Sequence, residues 1–269
     1  MDKAKVKNLI ILILLLANGF LLFLVLADRQ ETREGEAAAW RELTTVFEQN
    51  GIRVVEDDVR DARVLPVLTL QRDLREEQKA VERLLGNADV QDRGGNIYDY
   101  DAKKGIATFR GSGDFEIWLE EGAVRTGSDP VGTAVDVLQK LGIDCDADSA
   151  VLRELPGGWE VVLTARLDGD DVYNARALFT FSSANLLSVS GVRLPGGAAT
   201  RGETGMEPAT LLMHFLRAVL EGGYVCSEVT GLTCGYFISA PGLVPVWYVE
   251  TDAGDYYLNA LTGRSETFG

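Results

Sequence analysis

Three carboxylates at alternate positions, Asp144, Asp146 and Asp148, open with the rhythm of a calcium-binding loop. Such a loop needs a glycine for its sharp turn and a bidentate glutamate at its end, and Ser149 and Leu155 stand in those places. The segment therefore reads as a solvated turn. The single histidine, His214, falls inside the run Leu211-Leu212-Met213-His214-Phe215-Leu216. A catalytic histidine needs a nucleophile or a metal and a group to orient it. No Gly-x-Ser-x-Gly, no His-Glu-x-x-His and no second histidine accompany it, so it reads as a partly buried structural residue on a helix. Arg110-Gly111-Ser112-Gly113 lacks the following helix that a phosphate cradle requires and reads as a hairpin turn. The acid pairs Asp170-Asp171 and Glu120-Glu121 fall at turns, where water is the usual partner. These residues point to no enzyme, no cofactor and no metal.

One polar residue stands where polarity is costly. Leu9 to Ala27 is an unbroken apolar stretch interrupted by Asn18 and Gly19. As a helix it would be about 28 Å long, close to the roughly 30 Å hydrocarbon core of a bilayer. A lone amide near mid-membrane can bond across a helix–helix contact, and a neighbouring glycine allows close approach. The predicted contact face is Ile11, Leu15, Asn18, Gly19, Leu22 and Val25. A polar residue merely tolerated in an adequate span is the alternative.

The flanks orient this span. Lys3, Lys5 and Lys7 precede it with only Asp2 opposing them, while charges of both signs follow from Asp28 to Glu34. The bias places a short N-terminus in the cytoplasm and the rest outside the cell membrane. A cleaved signal peptide is the rival, because Val25 and Ala27 suit a peptidase site, but signal cores run about 7–15 residues and this one is longer. The net charge of −15 arises beyond the span and argues against nucleic acid as a partner. Cys145, Cys226 and Cys234 are too few and odd in number for a disulfide framework, although Cys226 and Cys234 are spaced to allow a pair. Nothing in the pattern specifies self-association.

The chain beyond the span alternates helices with short strands. Residues 30–50 have helical composition, with Trp40, Leu43 and Phe47 on one face and Asn50-Gly51 as a stop. Ile52–Val55 and Val64–Leu70 read as strands, the second at a sheet edge because of Pro66. Arg72–Leu85 is an amphipathic helix ended by Gly86. Short apolar runs at Val90, 97–100, 106–109 and 115–119 follow, separated by turn formers. Asp129-Pro130 opens a helix that Gly142 closes, and strands follow near 151–155, 158–168, 171–181 and 185–194. Residues 195–205 read as a loop. Pro208 starts a helix to Leu220, and strands near 224–239, 244–251 and 255–260 finish the chain. A helix followed by a meander thus occurs three times. The expected fold is α+β: one transmembrane helix, then extracytoplasmic antiparallel β-meanders with helices on one face. The expected divisions are 1–8 cytoplasmic, 9–27 transmembrane, 28–127 membrane-proximal and 128–269 C-terminal.

The last helix and strands carry a pattern. Glu207-Pro208-Ala209-Thr210-Leu211-Leu212, Gly235-Tyr236, Val244-Pro245-Val246-Trp247-Tyr248-Val249 and Tyr256-Tyr257-Leu258-Asn259-Ala260-Leu261-Thr262-Gly263 resemble the C-terminal region of YycI-type proteins, relatives of YycH. The same region is similar, more loosely, to PepSY modules. The lysines, single span and charged helix at the N-terminus suit the same family. The matching residues are Pro245, Trp247, Tyr257, Asn259, Ala260 and Gly263, and physically they are structural: Pro245 is expected to start a strand and Trp247 to point into the core. The resemblance implies a non-enzymatic, membrane-anchored, extracytoplasmic regulator of the cell-wall sensor histidine kinase of Gram-positive bacteria, acting with a YycH-like partner through membrane helices. The alternative is a PepSY-like exported module that binds a peptide, a peptidase or an envelope ligand.

Overall fold

The computed structural model describes residues 38–55, 59, 62–194, 200–239 and 242–266. Residues 1–37, which include the apolar stretch and its Asn18 face, lie outside the described residues. No helix among the described residues is long and apolar enough to cross a membrane.

Helix α1 spans 38–49. Its Trp40, Leu43 and Phe47, spaced three and four apart, are all buried. Asn50 and the left-handed Gly51 end it. Strands β1 (Arg53–Val54) and β2 (Pro66–Thr69) follow. Helix α2 (Leu74–Leu85) starts where the Asp73 carboxylate accepts from the N–H groups of Arg75 and Glu76. Strands β3 (Ala88–Gly94), β4 (Ile97–Ala102), β5 (Gly105–Phe109) and β6 (Asp114–Leu119) form a meander. Helix α3 (Pro130–Leu141) repeats the start signal: Asp129 accepts from the Gly132 N–H, Pro130 needs no partner in the first turn, and Gly142 closes the helix left-handed. Then come β7 (Asp144–Cys145), a 3-10 turn at Ala147–Ser149, β8 (Val151–Leu155), β9 (Gly158–Leu167), β10 (Asp170–Ser182) and β11 (Leu186–Val192).

The two meanders make one antiparallel sheet in the order β3-β4-β5-β6-β11-β10-β9-β8. Its centre is the pairing of the two fourth strands, β6 with β11, so the halves mirror each other in order. Helices α2 and α3 pack together over its buried face. Tyr100, Phe109, Phe115 and Ile117 fill that face from the first half, and Leu163, Phe179, Phe181 and Val189 from the second. The pairing of β6 with β11 carries the sheet across the expected 127/128 division.

The third helix-and-meander unit is built differently. Strand β12 (Thr200–Thr204) precedes helix α4 (Pro208–Leu220), which is followed by β13 (Glu228–Ser239), β14 (Gly242–Thr251), β15 (Tyr256–Asn259) and β16 (Ser265–Glu266). The order here is β12-β2-β14-β13, with β15 pairing β14 beyond β2 and β16 pairing β15. A single parallel pairing, Val172 with Tyr236, joins β10 to β13 and so links the two sheets. The register of β10 against β9 shifts between Asp171 and Arg176, freeing this stretch to leave one sheet for the other. The α+β class with mostly antiparallel strands stands, with four α-helices among the described residues.

Three local expectations are corrected. Strand β2 is not an edge: β12 forms from part of the expected loop and covers it, pairing Thr200 with Thr69 and Thr204 with Pro66. The run Thr-Arg-Gly-Glu-Thr has no apolar alternation, and its extended form comes from pairing with β2. Pro245 does not begin its strand; β14 starts at Gly242. The proline is accommodated because it falls between the stretch of β14 paired with β2 and the stretch paired with β15. Its carbonyl accepts from Ala260 on that side, where its own nitrogen has no donor to offer. Residues 224–227 precede the strand that was expected to include them.

Candidate functional site

Five of the six motif residues, all but Tyr257, assemble beneath α4. Trp247 is fully buried, and its indole N–H donates to the Met206 carbonyl at 3.1 Å. Met206 in turn donates its N–H to Ala260, and Ala260 donates to Pro245. The Asn259 side chain accepts from the N–H groups of Leu261 and Thr262, and its amide donates to Glu266, which fixes the final turn. Gly263 closes that turn with φ +67°, and a Cβ there would strike the His214 ring. His214 is exposed, resting over this turn rather than partly buried as expected. Tyr257 faces the other side of the sheet, in an aromatic group with Tyr173, Phe237 and Tyr248. The other five build a floor for the helix.

Of the three carboxylates singled out by spacing, Asp144 and Asp148 are exposed and Asp146 is engaged internally. Asp146 caps the 3-10 turn and meets Arg166 at 2.9 Å, and Arg166 also meets Asp171 at 2.6 Å. Asp170 pairs with Arg63. The expectation of water as the partner of Asp170 and Asp171 is therefore corrected: Arg63, distant in the chain, meets the first, and Arg166, across the β9–β10 hairpin, meets the second. Glu120 and Glu121 are exposed at a turn. All three cysteines are free, and burial raises the thiol of each.

A site that spacing alone did not mark lies where the two sheets diverge. A cleft of about 520 Å³ has walls formed by Leu70, Ile238 and Leu243 on one side and Val192 and Leu194 on the other. Asn174, in the irregular part of β10, crosses its end. The Asn174 amide accepts from the Ile238 N–H at 2.7 Å and donates to the Ile238 carbonyl at 3.1 Å, substituting for a strand on that edge of β13. The turn Gly111-Ser112 and Asp114 line the rim.

Arginines occupy the deep end. Arg72 grips the buried Glu77 with two hydrogen bonds of 2.9 and 2.8 Å and also donates to the Asn96 carbonyl. Glu77 further accepts from the Tyr100 hydroxyl at 2.7 Å. Burial, and then that hydrogen bond, raises the Tyr100 phenol well above its ordinary value. Glu77 thus accepts three hydrogen bonds, two from Arg72 and one from Tyr100. Arg193 has no such partner. It is 7% exposed, and its Nε donates to the Leu141 carbonyl at the end of α3 at 3.1 Å. Among the described residues this is the only hydrogen bond of its guanidinium. Burial lowers the Arg193 guanidinium from its ordinary value, with the charge of Glu77 opposing. Arg72, Arg110 and Arg193 converge with Glu77 around the Gly111–Gly113 turn, a local surplus of positive charge in a strongly acidic chain.

Two sequence signals foreshadow this end of the cleft. Glu77 sits on the apolar face of α2 with Ala80, Val81, Leu84 and Leu85, where a lone acid demands a partner. Arg193 keeps the inward parity of Val189 past the end of β11. Asn174 gives no such signal. Chemically, the arrangement offers guanidinium donors to an anion between apolar walls. No family model and no curated protein matches the chain.

Proposed function

We propose that the chain is a non-enzymatic, membrane-anchored regulator whose body lies outside the cell membrane and whose apolar helix, 9–27, contacts a sensor histidine kinase. The observation that carries this reading is the seating of α1. The helix that follows the apolar stretch is not a loose tether, since Trp40, Leu43 and Phe47 are 6%, 4% and 0% exposed within the same core that holds Trp247 and Phe179. Helix α1 thus gives the body a fixed element on the side of the chain that leads to the apolar stretch. An anchored partner biases a kinase only by binding one of its states better than the other. Sharing one bilayer raises effective concentration, so weak helix contacts suffice. The resemblance of the N-terminus and the C-terminal motif to YycI-type proteins supports the same partner and a YycH-like companion. The exported binding-module reading is favoured by one observation, the arginine-ended cleft.

The test is co-purification of the kinase with three chains expressed at matched levels in the same membrane: the full chain, residues 1–30 grafted onto an unrelated exported domain, and the body alone. The graft should retain the kinase, and Asn18→Leu should weaken capture by about 1 kcal/mol. Capture by the body alone, with none by the graft, would place recognition outside the bilayer.

A further inference from the structure

We infer that the cleft between the sheets is a binding site for a monocarboxylate carried on an apolar stem, with the Arg193 guanidinium as its anchor. A cation that is 7% exposed is expected to be paired, because removing a guanidinium from water is costly without a counter-charge. The only carboxylate buried with it, Glu77, is already gripped by Arg72 and capped by Tyr100. The carbonyl of Leu141 satisfies Nε and leaves the two terminal nitrogens of Arg193, which are the pair that meets a carboxylate side by side. The anion is therefore supplied from outside the described chain.

The walls define the rest of the ligand. Leu70, Val192, Ile238 and Leu243 are apolar, and the amide of Asn174 is committed to Ile238. About 520 Å³ lies within the range of small-ligand sites, roughly 300–1,000 Å³. Charge sets the valence: Glu77 at the deep end and Asp114 at the rim disfavour a dianion, so a phosphate monoester is a poor occupant. A free fatty acid and the C-terminus of an apolar peptide share the required chemistry. The inference is independent of the kinase reading, since its test contains no kinase.

The experiment measures binding to the full chain in a lipid nanodisc by saturation-transfer NMR titration. The probes are hexanoate and N-acetyl-leucinate, each beside its uncharged amide, with inorganic phosphate as a further comparison. At least one carboxylate should bind saturably, and its amide should bind about ten-fold more weakly, the worth of a charged hydrogen-bonded contact. Preference for hexanoate assigns an acyl chain, and preference for N-acetyl-leucinate assigns a peptide end. Arg193→Met should lose the same ten-fold while melting as the parent does. Val192→Trp, which narrows the cleft and keeps Arg193, should abolish binding and serves also if Arg193→Met does not fold. Equal binding of acid and amide, tighter binding of phosphate, no saturable carboxylate binding, or full binding by Val192→Trp would overturn the inference.

Discussion

The floor beneath α4 and the deep end of the cleft are both buried and both polar, yet they are built on opposite terms. In the floor, the Trp247 indole, the Asn259 amide and the backbone of Ala260 and Met206 each have a partner within the same C-terminal unit. In the cleft, Arg72 and Glu77 are matched, but Arg193 has a single carbonyl and no carboxylate among the described residues. Closed networks specify a fold. An open one leaves a buried cation short of a carboxylate, which the inferred ligand would supply. The residues with the most recognisable spacing belong to the closed network, so the recognisable motif marks architecture while the unmatched chemistry lies elsewhere.

The comparison can be broken by removing parts from each side. Trp247→Ala should cost about 3–5 kcal/mol in chemical denaturation, because a fully buried ring and its hydrogen bond are lost together. An unchanged melt would mean that the floor is not what holds α4. Glu77→Gln should cost about 3 kcal/mol, since it leaves Arg72 as a second uncompensated buried cation. A mild effect would show that the cleft tolerates two free cations and would weaken the case that one of them waits for an anion.

Alkaline titration reaches the floor side through two groups on β13. Burial pushes the Cys234 thiol and the Tyr236 phenol, neighbours on β13, up to about 12. The folded chain therefore keeps protons that the unfolded chain releases from about pH 9 for a thiol and about pH 10 for a phenol. Stability from this source is intact below about pH 9 and falls as pH rises toward 12, by about 4 kcal/mol at pH 11. Cys234→Ala should flatten the first part of that fall. The smallest effect belongs to Arg193→Met, which should change stability by no more than about 1 kcal/mol, because an unpaired buried cation is replaced by an apolar side chain of similar length. A large loss would make Arg193 a structural cap of α3 rather than a binding group.

Much of the fold was legible for local reasons. Asp129 before Pro130 as a start, and Gly86 and Gly142 as stops, mark α2 and α3. Strict alternation places β9, where Val161, Leu163 and Ala165 all face the core. What escaped was set by partners distant in the chain. Strand β12 exists because β2 offers it an edge, and Pro245 is tolerated mid-strand because two neighbours leave a gap at that position. Asp170 looked solvated until Arg63 met it. The cleft draws Arg72, Asn174 and Arg193 from three separate segments, so spacing within any one of them does not reveal it. The central pairing of β6 with β11 was hidden likewise: two similar meanders were visible, but not that they share one sheet.

The claim on which the functional account rests is that α1 couples the body to the membrane helix. It is tested most directly by inserting a flexible Gly-Ser segment of about ten residues between Ala27 and α1 and following autophosphorylation of the partner kinase in cells, alongside kinase co-purification. The account predicts that the kinase is still captured by the unchanged apolar helix, while its activity becomes the same whether or not the body is present. Kinase activity that stays under the control of the body across the insertion would contradict it.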